Sequence, residues 1–333
     1  MNTHRIEKFI AAKSMRQLEL SLLVSRYELK QWVQNPAYRA FEIPKKKGGT
    51  RQLYAPAPPL KRIQQSINEL LQSLYLPTQN AYGFMLKQAH KTNRNTLQNA
   101  NCHLQRNFVW NLDIQNFFPS ISTKRVKNIF MDGPFFMTEA VASYLALLCC
   151  YQKQIPAGAP SSPMLSHFAC IDMDKSLEQF ITQAAFKPYQ ICYTRYADDL
   201  TFSLDLLPSD EIKNGIEAII LEHGFLLNTS KNRIQHKHQG QWVTGIKVNQ
   251  KPNLDRKYIR KLRAIIHHVE AKGMIAATAR YLNLAEEQIK QKEISFFLNS
   301  VRGKINYVGS VRGKEDVVFK KLITTFNSAI DGI

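Results

Sequence analysis

Acidic residues are scarce in this chain: 26 Asp and Glu stand against 45 Lys and Arg, a formal charge of +19 over 333 residues. An excess of that size is more than solubility requires and points to a polyanionic partner. By itself it fits a nucleic-acid enzyme and an incidentally basic protein equally. Cysteine is scarce too. Cys102, Cys149, Cys150, Cys170 and Cys192 form no CxxC pair, and neither they nor the histidines cluster as a zinc site or a disulfide framework requires. They read as buried, reduced thiols, so any metal has to be held by oxygen. No run approaches the ~20 apolar residues of a membrane span, and Met1 to Ala12 carries no long apolar core or small-residue cleavage site. The expectation is a cytoplasmic protein with no membrane partner. Internal repeats and low-complexity linkers are also lacking. The 44% hydrophobic content is ordinary for a globular chain that packs two or three subdomains together.

The local patterns are legible from the amino terminus. Ser14-Met-Arg-Gln17 and Ser25-Arg-Tyr-Glu28 fit the capping box, so residues 3–35 read as short helices ending at Asn35-Pro36. Tyr38 to Ile43 and Gln52 to Ala55 read as strands flanking the cationic tip Lys45-Lys-Lys-Gly-Gly-Thr50. Pro58-Pro59 opens a helix with Leu60, Ile63, Ile67, Leu70, Leu71 and Leu74 on one face. Phe108 to Ile114 is a short apolar strand bearing one acid, Asp113. Helices are predicted at 123–131, 137–150 and 162–183, the last after the Gly/Pro/Ser-rich loop Ile155 to Pro163. Tyr189 to Thr194 and Leu200 to Leu204 alternate like a hairpin joined by Tyr196-Ala-Asp-Asp199. A helix near 209–222 follows, then a strand over Gln241 to Asn249. From about Asp255 the pattern is helical and basic.

Nucleotidyl transfer requires an activated 3′ oxygen, a neutralised pyrophosphate and an in-line arrangement of the two, which a pair of divalent ions roughly 4 Å apart accomplishes. Magnesium takes hard oxygen ligands and usually only one or two protein carboxylates. Asp113 at a strand end beside Asp198 and Asp199 on a hairpin turn makes such a platform. A bare Asp-Asp pair is more often a solvated turn. What tips the balance is the context: Tyr196 before the pair, β-alternation on both sides, Asp113 upstream, and the cost of neighbouring like charges without a cation.

These strings together resemble the palm of reverse transcriptases. Tyr196-Ala-Asp-Asp199 matches the Y/F-x-D-D signature, and Phe108-Val-Trp-Asn-Leu-Asp-Ile-Gln-Asn-Phe-Phe-Pro-Ser120 is similar to the first catalytic motif. The resemblance implies a two-Mg2+ site, with Mn2+ as a substitute, made by Asp113, Ile114, Asp198 and Asp199. Asp113 and Asp198 would bridge both ions. It implies that Arg51 holds the incoming triphosphate, a task suited to a guanidinium, and that Phe118 is the steric gate selecting deoxynucleotides. Pro156 to Pro163 resembles the family's P-Q-G-x-x-x-S-P loop, but Ala157 replaces the glutamine, leaving Ala157 and Gly158 to meet the nucleotide by backbone and shape. Lys231, after Gly224-Phe-Leu-Leu-Asn228, matches the lysine thought to protonate pyrophosphate.

Asn99-Ala-Asn-Cys-His103 fits NAxxH and Val243-Thr-Gly245 fits VTG. In this order around the palm they resemble the pair that marks bacterial retron reverse transcriptases. That likeness implies an enzyme that copies part of a cognate structured noncoding RNA, primed from an internal guanosine 2′-OH. The product is a branched RNA–DNA hybrid (msDNA), made from dNTP substrates. It also implies antiphage defence with a separately encoded effector protein. RNA contacts are expected from Asn99, His103, Arg256, Lys257, Arg260, Lys261 and Arg263, with Tyr258 and Tyr307 as aromatic surfaces. The implied fold is α+β, a right-hand polymerase: N-terminal helices and fingers at 1–90, a palm of antiparallel sheet plus helices with inserted fingers helices at 91–250, and a basic helical thumb at 251–333. The competing readings are an intron-type reverse transcriptase, an RNA-dependent RNA polymerase, which Phe118 opposes, and a catalytically silent RNA-binding scaffold that restrains a toxin.

Overall fold

The computed structural model describes residues 3–45, 48–85 and 93–331. Lys46 and Lys47 of the expected cationic tip lie outside the described residues. In chain order the elements begin α1 (Thr3–Ile10), α2 (Met15–Leu22), α3 (Arg26–Gln34), β1 (Tyr38–Pro44), β2 (Thr50–Pro56) and α4 (Pro58–Leu74). They continue with β3 (Ala81–Tyr82), α5 (Thr96–Asn101), β4 (Phe108–Asp113), α6 (Thr123–Met131), α7 (Glu139–Cys149) and α8 (Ser162–Ile181). Then come β5 (Cys192–Tyr196), β6 (Asp199–Leu204), α9 (Asp210–Glu222), β7 (Arg233–His236), β8 (Trp242–Val243) and β9 (Ile246–Lys247). Three helices finish the chain: α10 (Arg256–Leu282), α11 (Gln291–Arg312) and α12 (Val317–Asp331). Two compact units result, one of Met1–Asn95 with Trp110–Ile234 and one of Thr96–Val109 with Gln235–Ile333.

In the first unit both capping boxes form: the Ser14 and Ser25 hydroxyls accept from the N–H groups of Gln17 and Glu28, whose side chains accept in return. β1 and β2 pair antiparallel with Ile43 opposite Arg51. α4 starts on its prolines and buries Leu60, Ile63, Ile67, Leu70 and Leu71, while Leu74 is half-buried. The central sheet has the order β3-β5-β6-β4-β7. β5 and β6 are antiparallel, but β3 runs parallel to β5, so the sheet is mixed where an antiparallel one was expected. β3 has two residues, too few to show an alternation. Phe130, Phe135, Leu145, Met164, Leu177 and Phe202 are among the side chains of one buried core, each contributing about 1.5–3 kcal/mol by burial.

The second unit has its own core, including Val243, Ile246, Leu262, Phe297, Ile305 and Phe326. The strand expected over 241–249 is instead a hairpin of two-residue strands, β8 and β9. Its turn residues Thr244 and Gly245 both have positive φ, 46° and 81°. Glycine suits that geometry, and a β-branched threonine is rarely found in it. α10 is interrupted at Gly273, where φ is 81° and ψ 172°.

Candidate active site

The acids come together through backbone bonds in the first unit. β5 and β6 are joined by a two-residue turn, with Tyr196 opposite Asp199 and Ala197 held at a φ of 57°. That is an uncommon conformation for a residue with a Cβ. The Asp198 carbonyl accepts from Ile114 N–H at 3.0 Å, which fixes the turn against the end of β4. The Asp113 carbonyl accepts from Asn228 N–H at 2.8 Å, and the Leu226 carbonyl from Gln115 N–H at 2.7 Å. One short 3-10 turn after Asn228, Lys231 folds back and donates to Asp113 Oδ1 at 2.6 Å. Asp113 is buried and Ile114 more so, whereas Lys231 is half-exposed.

The electrostatics follow from that crowding. Burial, then the Asp113 charge, raises the Asp198 carboxyl above its ordinary value, against the pull of Lys231 and Arg51. Asp199 is open to solvent along one edge. Even so, burial, then Asp198 and Asp113, push its carboxyl up to about 6, with Lys231 and Arg233 opposing. Three carboxylates thus face each other with less positive charge than they need. Among the described residues no three His, Cys, Asp or Glu side chains form a ready-made metal cage. The donors instead suit a hard divalent cation that completes its shell with phosphate and water.

The surrounding residues are tied to the same frame. Arg51, exposed on β2, is close enough to lower the Asp198 carboxyl. The Ala157 carbonyl accepts from Tyr54 N–H at 2.8 Å, and a Cβ on Gly158 would lie 3.1 Å from the Tyr54 carbonyl oxygen. Gly158, with φ of 108°, is therefore required both by its backbone and by the approach of β2. Phe118 is half-buried between Phe117 and Phe84, with ring centroids 5.5 and 6.2 Å away.

Some residues beneath the turn escaped the sequence reading. Arg195, fully buried on β5, bonds Asp174 of α8 through both guanidinium arms, Nε to Oδ1 at 2.9 Å and Nη2 to Oδ2 at 2.7 Å. Tyr193 donates to the same carboxylate at 2.8 Å. His167 bonds the Gly83 carbonyl at 2.8 Å, and a Cβ on Gly83 would meet the Tyr196 ring at 3.0 Å. The signal was present as one arginine inside an apolar strand and one aspartate on a helix buried on most faces.

In the second unit Arg256, Lys257, Arg260, Lys261 and Arg263 are all exposed on the first turns of α10. Cations there oppose the helix dipole, with the Asp255 cap as the acid at that end. Tyr258 and Tyr307 are half-buried against each other at 6.1 Å. Asn99 and His103, expected as RNA contacts, are buried, 1% and 0% exposed. Burial lowers His103 to about 3, so it is neutral. Their side chains lie beneath the surface. No helix among the described residues is long and apolar enough to cross a membrane.

Comparison with known proteins identifies the family. The profile of the family described as reverse transcriptase (RNA-dependent DNA polymerase) matches residues 43–251. The chain is 29% identical to the retron Ec86 reverse transcriptase of Escherichia coli, over 70% of each chain. It is 32% identical to the retron Mx65 reverse transcriptase of Myxococcus xanthus over 69% of this chain and 55% of that one. To the retron Ec73 reverse transcriptase of Escherichia coli it is 31% identical over 63% of this chain and 68% of that one. Reverse transcriptases as a family use divalent metal ions. With most of its length inside the family profile and with these relatives, the chain belongs to the reverse transcriptases, and among them to the bacterial retron enzymes.

Proposed function

We propose that the protein copies part of one structured noncoding RNA into DNA, starting from a guanosine 2′-OH within that RNA, and so yields a branched RNA–DNA hybrid. The observation that carries the polymerase part is the bond from Ile114 N–H to the Asp198 carbonyl, which brings the Asp198 turn against the strand end that bears Asp113. In this reading Asp113 and Asp198 hold two Mg2+ ions, Asp199 and the backbone at Ile114 assist, and Mn2+ can replace Mg2+. Bound metal would supply charge neutralisation and a more acidic attacking hydroxyl. Arg51 grips the triphosphate, Phe118 excludes a ribose 2′-OH, and Ala157 and Gly158 meet the nucleotide through backbone. Lys231, already hydrogen-bonded to Asp113, gives a proton to the leaving pyrophosphate.

The exposed cations of α10 support an RNA partner, because in the first turns of a helix they cost stability unless an anion faces them. The relatives' names support the retron assignment, and the family resemblance implies the self-priming reaction and a role in antiphage defence beside a separately encoded effector. Nucleic acid copurified from cells carrying the native locus tests this reading. A branched species sensitive to both RNase and DNase is expected, and its absence contradicts the retron assignment.

A further inference from the structure

Two consecutive residues after β3 hold left-handed backbone, Gly83 at a φ of 82° and Phe84 at 58°. Glycine accepts that geometry, and a Cβ there would meet the Tyr196 ring at 3.0 Å. For a bulky phenylalanine it is an outlier, which persists only where the surroundings impose it.

Here they do. The Gly83 N–H donates to the Arg94 carbonyl at 2.8 Å, and Gln72, buried on α4, donates its side-chain amide to the Phe84 carbonyl at 2.6 Å. Fully buried His167 on α8 bonds the Gly83 carbonyl through Nε2 at 2.8 Å. Arg195 Nη2 stands 3.5 Å from the other ring nitrogen, Nδ1. A proton on Nδ1 would face a second donor, so the ring N–H is on Nε2 and is donated to Gly83. Arg195 is in turn fixed by both oxygens of Asp174. One imidazole thus links the buried pair beneath the Asp198 turn to the backbone of Gly83 and Phe84. β3 adds to the anchorage, since Tyr82 pairs with Tyr196.

Held in this way, the Phe84 ring packs edge-on against His167 at 5.9 Å and tilted against Phe118 at 6.2 Å. Phe117, which also packs against Phe118, belongs to the core: it is buried and meets Phe225 at 5.9 Å. Phe84 comes from a different segment and stays 36% exposed, at the border of the core where half-buried Phe118 also lies. Phe118 therefore rests on one ring from its own segment and one from the end of β3. Removing the second leaves space into which the Phe118 ring can turn. An aromatic gate rejects a 2′-OH only while it cannot yield.

We infer that Phe84 is a positioning residue for sugar selection, backing the Phe118 ring so that it does not give way to a ribose 2′-OH. Phe84 acts through Phe118 rather than on the nucleotide. The inference rests on the reading of Phe118 as the steric gate.

The test measures kcat/KM for single incorporation of dTTP and of UTP on poly(rA) primed with oligo(dT), in wild type, Phe84→Ala, Phe118→Ala and the double variant. The dTTP/UTP ratio is expected to fall by about fivefold or more in Phe84→Ala and further in Phe118→Ala. In the double variant it should lie within about twofold of Phe118→Ala alone, because both side chains act through one ring. Phe84→Tyr, which keeps the ring, should stay within about twofold of wild type. A purely structural defect lowers kcat/KM for both nucleotides in proportion and leaves the ratio unchanged, and that result in Phe84→Ala overturns the inference. So does a double variant that loses the product of the two single effects, since Phe84 would then act on the nucleotide directly. Phe118→Ala judges the gate separately. If it keeps the wild-type ratio, Phe118 is no gate and the inference falls with it; if it loses the ratio while Phe84→Ala does not, the inference alone falls. Should Phe84→Ala not fold, Phe84→Leu must lower the ratio by about threefold or more.

Discussion

Asp113 serves two neighbours at once: its carbonyl receives the Asn228 N–H, and its carboxylate receives Lys231. That double use ties the proposed proton donor to the proposed metal site. Lys231→Ala is expected to lower kcat by about a hundredfold, the usual scale for losing a general acid, with little change in KM for the nucleotide. Single-turnover incorporation of one dNTP checks this. Phe118 lends itself to a similar test, because its ring is half-buried and packs against those of Phe117 and Phe84. Phe118→Ala should reduce the preference for dNTP over rNTP, as a ratio of kcat/KM, by roughly 10- to 100-fold. The acids were readable in the sequence because a strand-ending Asp and an Asp-Asp turn carry their chemistry in their spelling. Arg195 was not, since an arginine in a strand ordinarily reads as a solvent-facing residue, and only the packing of α8 brings Asp174 to it.

Elements inherit stability from such hidden pairs. Arg195→Met alone leaves Asp174 charged and buried, and should cost about 3–5 kcal/mol in denaturant unfolding. Adding Asp174→Leu should recover much of that loss, which a double-mutant cycle would reveal. Tyr193 keeps the recovery incomplete, because its hydroxyl also loses the carboxylate. At the end of α5, His103 is held near 3, below its ordinary 6.5, by burial first and by Arg106 second. The unfolded chain therefore takes up the proton first. The stability this histidine permits is complete above about pH 6.5 and is lost as pH falls toward 3, by up to about 1.4 kcal/mol per pH unit. His103→Gln should flatten that acid limb in urea unfolding measured at successive pH values, whatever it does to the neutral plateau. Helices were readable because caps and apolar spacing are local, as Ser14, Ser25 and α4 illustrate. β3, β8 and β9 were not, because two-residue strands are made by their partners and turns rather than by any alternation of their own.

At the scale of the whole molecule the excess of positive charge is distributed by task. In the first unit it is set against the carboxylates, through Arg51, Lys231 and Arg233. In the second it is left on the surface, along the start of α10 and around the cleft between β7 and α10. The sequence therefore singled out the three acids that the first unit brings together. It disclosed less of the second, where Asn99 and His103 read as RNA contacts although both side chains are buried. The central claim is that Asp113 and Asp198 form the metal platform of an RNA-templated DNA polymerase. It is tested most directly by dTTP incorporation on poly(rA)/oligo(dT) with Mg2+, comparing wild type with Asp113→Asn and Asp198→Asn. The account predicts robust synthesis by wild type and a loss of about a thousandfold or more in each variant, with secondary structure and RNA affinity retained. Undiminished DNA synthesis by either variant would contradict it.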